Sequence, residues 1–165
     1  MLYKTLFTQG LDFETYLKQG TEDETQAVNK VADQLSEAVL PETLVQQLSA
    51  IKKDVHLLIV GEMWCPDCQL NITAIKYMAL LQPKIKLSII SKETAEQQLM
   101  ELLELSQIKI PLVAMLNEQY QLVNSFIERP QTVISVEDFD RIKSDYFAGK
   151  YLHATISEIL SKLAV

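Results

Sequence analysis

Cysteine is scarce in this sequence: it occurs twice in 165 residues, while tryptophan occurs once, glycine four times and proline five. So little glycine and proline excludes a linker or low-complexity chain, and no internal repeat is present. An excess of positive charge is also missing. The formal charge of −7 argues against binding a phosphate backbone or an anionic leaflet, and it is what an ordinary acidic protein carries. No stretch approaches the roughly 20 apolar residues of a membrane span. Met1 to Gly10, with Lys4 and no long apolar run, does not read as a secretory signal. A cytoplasmic location is therefore expected, with neither nucleic acid nor membrane as partner. In that compartment structural disulfides are rare, and a close cysteine pair is catalytic or metal-binding.

What is present is enough apolar material for a well-packed core, 48 % of the residues. The first third reads as helical. Leu11, Phe13, Tyr16 and Leu17 predict a short helix opened by Asp12. Val28, Val31, Ala32, Leu35 and Val39 mark one face of a longer helix, with Thr21 and Glu24 as a capping box near its start. Pro41 suits the first turn of a third helix carrying Leu44, Leu48 and Ile51.

At Val55 the period changes. Leu57 to Val60 form a continuous apolar run, as in a strand buried on both faces, and Gly61 ends it. Leu70, Ala74, Tyr77, Met78 and Leu81 predict a helix. Ile85, Leu87 and Ile89 alternate with Lys84, Lys86 and Ser88 as a strand. Thr94 with Gln97 predicts the cap of a helix packed through Leu99, Leu102 and Leu103. Leu112 to Leu116, introduced by Pro111, and a strand running to Ile127 are close enough through Asn117 and Glu118 to pair antiparallel. Phe139, Ile142 and Tyr146 predict one further helix, and Thr155 with Glu158 the opening of the last. The alternation from Val55 onward implies an α/β fold whose first two strands are parallel.

Both cysteines lie in Trp64-Cys65-Pro66-Asp67-Cys68, between the buried strand and an amphipathic helix. One helical turn holds residues i and i+3 within disulfide reach. Cys65 falls at the helix start, where free N–H groups and the positive dipole end favour a thiolate, and Pro66 suits the first helical position. The thiolate is the attacking species. Cys65 is thus the expected nucleophile and Cys68 the resolving thiol.

The strand-WCxxC-helix unit at residues 57 to 81, Ile110-Pro111 opening the next strand but one, and the strand pair and helix after it resemble the thioredoxin superfamily. The resemblance covers residues 53 to 148. It divides a single domain into a helical N-terminal extension (1–52), a thioredoxin core (53–148) and a C-terminal helix (149–165). The helical front, Glu128-Arg129-Pro130 and the run Tyr146 to Tyr151 are similar to a bacterial "thioredoxin family protein" group. The resemblance implies a thiol–disulfide oxidoreductase, a disulfide reductase acting on protein or low-molecular-weight disulfides. It implies no cofactor beyond electrons from a reducing partner. It also implies a cis bond at Pro111, facing the active-site pair.

Two departures from the thioredoxin pattern stand out. Thioredoxins bury an aspartate six positions before the nucleophile, where it assists proton transfer to the resolving cysteine; Ile59 stands there. Another group or water then takes that role, or turnover slows. Asp67 is the second departure. Its charge opposes the neighbouring thiolate by about 1 kcal/mol at an exposed site, against ~0.3–1 kcal/mol from the helix terminus. A modestly lowered Cys65 pKa is the expectation.

Other readings of the same residues remain. Structural zinc wants four ligands, and His56 and His153 are not at zinc-knuckle spacing; two thiolates from each of two subunits could still hold zinc or an iron–sulfur cluster. A binding or adaptor module without turnover is the other alternative, and the absent aspartate is its clue. Trp64 is expected to contact partner disulfides, and His56 to be structural. Arg129 is expected to fix its loop by pairing with a carboxylate, and Glu62 to be solvated. Met63, Met78, Met100 and Met115 read as packing residues. Oligomeric state is open.

Overall fold

Four consecutive side chains, Leu57 to Val60, are fully buried, and the sheet is built around them. The structure, a computed structural model, describes residues 1–164. Strand β1 (Val55–Val60) pairs in parallel with β2 (Ile85–Ile90) on one side and antiparallel with β3 (Leu112–Leu116) on the other. Strand β4 (Leu122–Ile127) adds antiparallel to β3, giving the order β2-β1-β3-β4. The apolar run occupies an inner strand because both of its faces are covered, and each such side chain contributes about 1.5–3 kcal/mol on burial.

The N-terminal third forms α1 (Leu2–Gln9), α2 (Phe13–Leu17), α3 (Glu22–Glu37) and α4 (Glu42–Ser49). Asp12 caps α2 by accepting from the Thr15 N–H at 2.8 Å. Thr21 and Glu24 form the expected capping box, with bonds of 3.2 and 2.9 Å. Val28, Val31 and Leu35 are buried as predicted. Val39 is not: α3 stops at Glu37, Ala38 turns extended before Pro41, and Val39 is 90 % exposed. Ile51 likewise lies beyond the end of α4.

The sequence did not announce α1, and its presence changes β2. Leu11 pairs with Ile89, exchanging N–H···O bonds of 2.8 and 2.9 Å. The Ser88 hydroxyl donates to the Phe7 carbonyl at 2.7 Å. Ser88, read as an outward position, is therefore buried. The close approach requires Gly10, where a Cβ would collide with the Ser88 hydroxyl. The N-terminal helices share one apolar cluster with the sheet. His56 is held structurally, its Nδ1 3.0 Å from the Asn117 carbonyl oxygen and its ring stacked on Tyr120.

Helix α5 (Pro66–Leu81) crosses from β1 to β2, and α6 (Lys92–Gln98) follows β2. Ser91, not Thr94, caps α6, accepting from the Thr94 N–H at 3.1 Å. The helix is displaced accordingly, ending before Leu99, and Leu102 is exposed. After β4 come α7 (Gln131–Ile134), a 3₁₀ turn at Phe139–Arg141, α8 (Lys143–Phe147) and α9 (Leu152–Leu163). The single helix expected through Phe139, Ile142 and Tyr146 is thus split, with Asp138 capping the 3₁₀ turn at the Asp140 N–H. Thr155 and Glu158 do not open the last helix. They sit inside α9 and spend their side chains on tertiary bonds, to Asn71 at 2.6 Å and the Gln131 N–H at 2.6 Å. The predicted end of this segment, residue 165, lies outside the described residues. No described helix is long and apolar enough to cross a membrane.

Candidate active site

The sulfur of Cys65 does what an oxygen usually does at a helix start. Cys65 is the N-cap of α5, with φ −85° and ψ 118°, and its Sγ accepts from the Cys68 N–H at 3.3 Å. Its carbonyl accepts the first helical bond, from Gln69 at 3.0 Å. Pro66 occupies the first helical position, where no N–H is needed. The loop before the cap is pinned twice: Cys65 N–H donates to the Glu62 carbonyl at 3.2 Å, and Gln69 Nε2 to the Met63 carbonyl at 2.8 Å.

The two thiols are unequally placed. Cys65 is 5 % exposed and Cys68 fully buried behind it. Hydrogen bonding from the Cys68 side chain is the chief influence holding Cys65 below the ordinary thiol pKa. Backbone N–H groups of Cys68 and Asp67 assist, while burial and the Asp67 charge oppose. Cys68 is pushed up, first by burial, then by its hydrogen bond to Cys65 and the charge there. The Ile110–Pro111 bond is cis, and the Ile110 carbonyl accepts from Cys65 Sγ at 3.8 Å. Trp64, next to the pair, is 60 % exposed. All six residues singled out from the sequence (Trp64, Cys65, Pro66, Asp67, Cys68 and Pro111) therefore gather at the N-terminus of α5 and the start of β3.

Asp67 is far from free. Arg129 donates through Nε to Oδ1 at 2.8 Å and through a terminal nitrogen to Oδ2 at 3.4 Å. The Tyr146 hydroxyl donates to Oδ1 at 2.7 Å. Asn71, buried on α5, donates to that hydroxyl at 2.9 Å and to the Glu128 carbonyl at 3.2 Å, and accepts from Thr155. The Arg129 guanidinium also lies 4.0 Å from the Phe139 ring centre. Arg129 does fix its loop by pairing with a carboxylate. The sequence does not single out Asn71, Tyr146 or Thr155 as site residues; each sits at an apolar-periodic or capping position, and no local signal separates them from such roles.

Glu62 is only partly solvated: one oxygen of its half-buried carboxylate accepts from the Lys92 N–H at 2.9 Å, at the start of α6. Ile59 is fully buried between Ile89 and Val113. Among the described residues, no group of three or more His, Cys, Asp and Glu side chains gathers that could hold a metal ion. Met63, Met78 and Met115 are buried, and Met100 packs against the same core.

The model of a family described as Thioredoxin matches residues 10–143 of the chain. That span begins well inside the stretch read as an extension. A protein of unknown function from Pseudomonas aeruginosa is similar in structure, with a TM-score of 0.95 at 40 % identity over 98 % of this chain and 96 % of that one. An HIV epitope scaffold is similar with a TM-score of 0.94 at 40 % identity, over 98 % of this chain and 97 % of its own. No curated protein matches. With the thioredoxin sheet, a cysteine pair on the first turn of α5 and a family match over most of its length, the chain belongs to the thioredoxin family.

Proposed function

We propose that the chain is a cytoplasmic thiol–disulfide oxidoreductase, working as a reductase of protein or low-molecular-weight disulfides. The observation that carries this is the Cys65 sulfur at the α5 terminus, accepting the Cys68 N–H at 3.3 Å with the second thiol buried in the same turn. Cys65 attacks a substrate sulfur as the thiolate and forms a mixed disulfide. Cys68 then attacks Cys65 Sγ and expels the substrate's second thiol. Pro66 starts the helix, Asp67 anchors it through Arg129, and Trp64 and Pro111 flank the sulfur where a substrate docks. A reducing partner returns the pair to the dithiol state, and no other cofactor is required.

The test is the reduction potential of the Cys65–Cys68 pair together with insulin reduction. A potential near about −270 mV with turnover supports a reductase, whereas one near about −120 mV indicates an oxidant. A pair that forms no disulfide and reduces nothing would leave a binding module.

A further inference from the structure

Resolution asks something difficult of Cys68. Its sulfur must carry negative charge in order to attack, yet it is fully buried, and burial penalises the charged form. The Glu62 backbone N–H favours that charge, but the neighbouring side chains offer little help. Ile59 presents only hydrocarbon, and the Glu62 carboxylate is engaged at the start of α6.

One polar group nearby is unaccounted for. Tyr16, on α2, is 2 % exposed, and its hydroxyl has no hydrogen-bond partner among the described residues. An unpaired buried hydroxyl is costly, because its lost hydration is not replaced. It faces the cysteine pair across Gly61. A Cβ built on Gly61 would lie 3.6 Å from the Tyr16 hydroxyl and 3.6 Å from Cys68 Sγ, while colliding with Ile72. Both atoms thus line one small region beside Gly61, which the Ile72 side chain fills. The titratable groups acting on Tyr16 are Cys68, Cys65, Glu62 and Glu24, all of which, like burial, disfavour its ionisation. The hydroxyl keeps its proton and is a donor, not a base.

Resting on the exchange chemistry proposed above, we propose that the Tyr16 hydroxyl is the hydrogen-bond donor for the Cys68 thiolate during resolution. The hydroxyl has no partner in the reduced protein, so this bond forms only as the site rearranges in the mixed disulfide. In the mixed disulfide, Cys68 loses its proton to solvent water and its sulfur attacks Cys65 Sγ, forming the intramolecular disulfide and breaking the bond from Cys65 to the substrate sulfur. The substrate sulfur leaves with the bonding electron pair and takes up a proton. The protein dithiol is oxidised by two electrons and the substrate disulfide reduced. Tyr16 stabilises the charge on Cys68 and keeps its own proton throughout, so it is a positioning group supplied by the N-terminal helices.

The experiment mixes the reduced protein with a chromogenic aryl disulfide in a stopped-flow instrument. The first aryl thiolate released reports attack by Cys65; the second reports resolution by Cys68. Tyr16→Phe should slow the second phase roughly tenfold at neutral pH and displace its pH profile upward. Thermal stability should be unchanged or higher, because the lost hydroxyl had no partner. Tyr16→meta-fluorotyrosine, which keeps the ring and sharpens the donor, should resolve at least as fast as wild type. An unaltered second phase and pH profile in both variants would overturn the role of Tyr16 and leave the exchange reading standing. Wild-type protein that releases only the first thiolate would instead overturn the exchange reading, and this inference with it.

Discussion

Arg129 Nε donates to Asp67 Oδ1 at 2.8 Å, joining residues 62 positions apart in the chain. The pair decides what the acidic residue inside the cysteine motif does. Unpaired, Asp67 would oppose the Cys65 thiolate; paired in two places with a planar guanidinium, much of its charge is offset. It anchors the first turn of α5 to the segment after β4.

Arg129→Met should therefore weaken the thiolate. Its loss leaves the Asp67 charge uncompensated beside Cys65, and alkylation of Cys65 at neutral pH should slow roughly two- to threefold. Asp67→Asn should act in the opposite direction. Iodoacetamide reactivity against pH, read on a Cys68→Ser background, measures both, and equal profiles for the two variants would remove the electrostatic role.

Asn71 ties α5 to α9 and to the loop at Glu128, so its replacement should be felt as stability. Asn71→Leu leaves the Thr155 hydroxyl and the Glu128 carbonyl without their buried partner, at about 2–3 kcal/mol in all. Thr155→Val removes one bond and should cost about half as much. Urea denaturation of the reduced proteins gives both values, and a loss below about 0.5 kcal/mol for Asn71→Leu would mean that water replaces its bonds.

These two networks mark where the sequence stops being legible. Leu57 to Val60 could be read as a buried inner strand because burial on both faces leaves a continuous apolar run. The Thr21–Glu24 box could be read because its partners are three residues apart. Local signals misled where two overlapped: Ser91 and Thr94 both suit a cap, and the bond from the Thr94 N–H to Ser91 decides it. Thr155 and Glu158 look like a cap but answer to Asn71 and Gln131, far away in sequence. Ser88 read as outward because nothing local tells of α1 lying over it. At the site, the cysteines, Trp64, Pro66 and Asp67 were visible as one motif, and Pro111 through the family resemblance. Tyr16 and Tyr146 read as apolar members of helices, since what their hydroxyls face is set by the fold.

Trapping separates the roles of the two cysteines. Cys68→Ser should accumulate mixed disulfides through Cys65, since the resolving sulfur is gone. Cys65→Ser should trap few, because Cys68 is fully buried and its pKa is raised by that burial. Non-reducing gels with mass spectrometry of the adducts read the outcome, and equal trapping by both variants contradicts the assignment.

The same pair should leave a mark on stability against pH. The Cys65 pKa lies below its ordinary value of 9.0 in the folded protein, chiefly through the hydrogen bond from Cys68. Its contribution is therefore present above 9.0 and is lost as pH falls through the folded value. The Cys68 pKa is raised from 9.0 by burial, so its contribution is full below 9.0 and declines as pH rises beyond it. Tyr16 and Tyr146 are both raised from 10.0, again by burial first, and add to the decline above 10.0. The reduced protein should thus gain stability as pH rises through the folded Cys65 value toward 9 and lose it beyond, each group changing the slope by at most about 1.4 kcal/mol per pH unit. Cys65→Ser should remove the rise. Cys68→Ser should delay the fall until the tyrosines take over, and the oxidised protein should lack both cysteine limbs. Urea midpoints measured from pH 6 to pH 11 on the four forms test this. A Cys68→Ser curve parallel to wild type above pH 9 would show that the buried thiol is not the group whose ionisation opposes the fold.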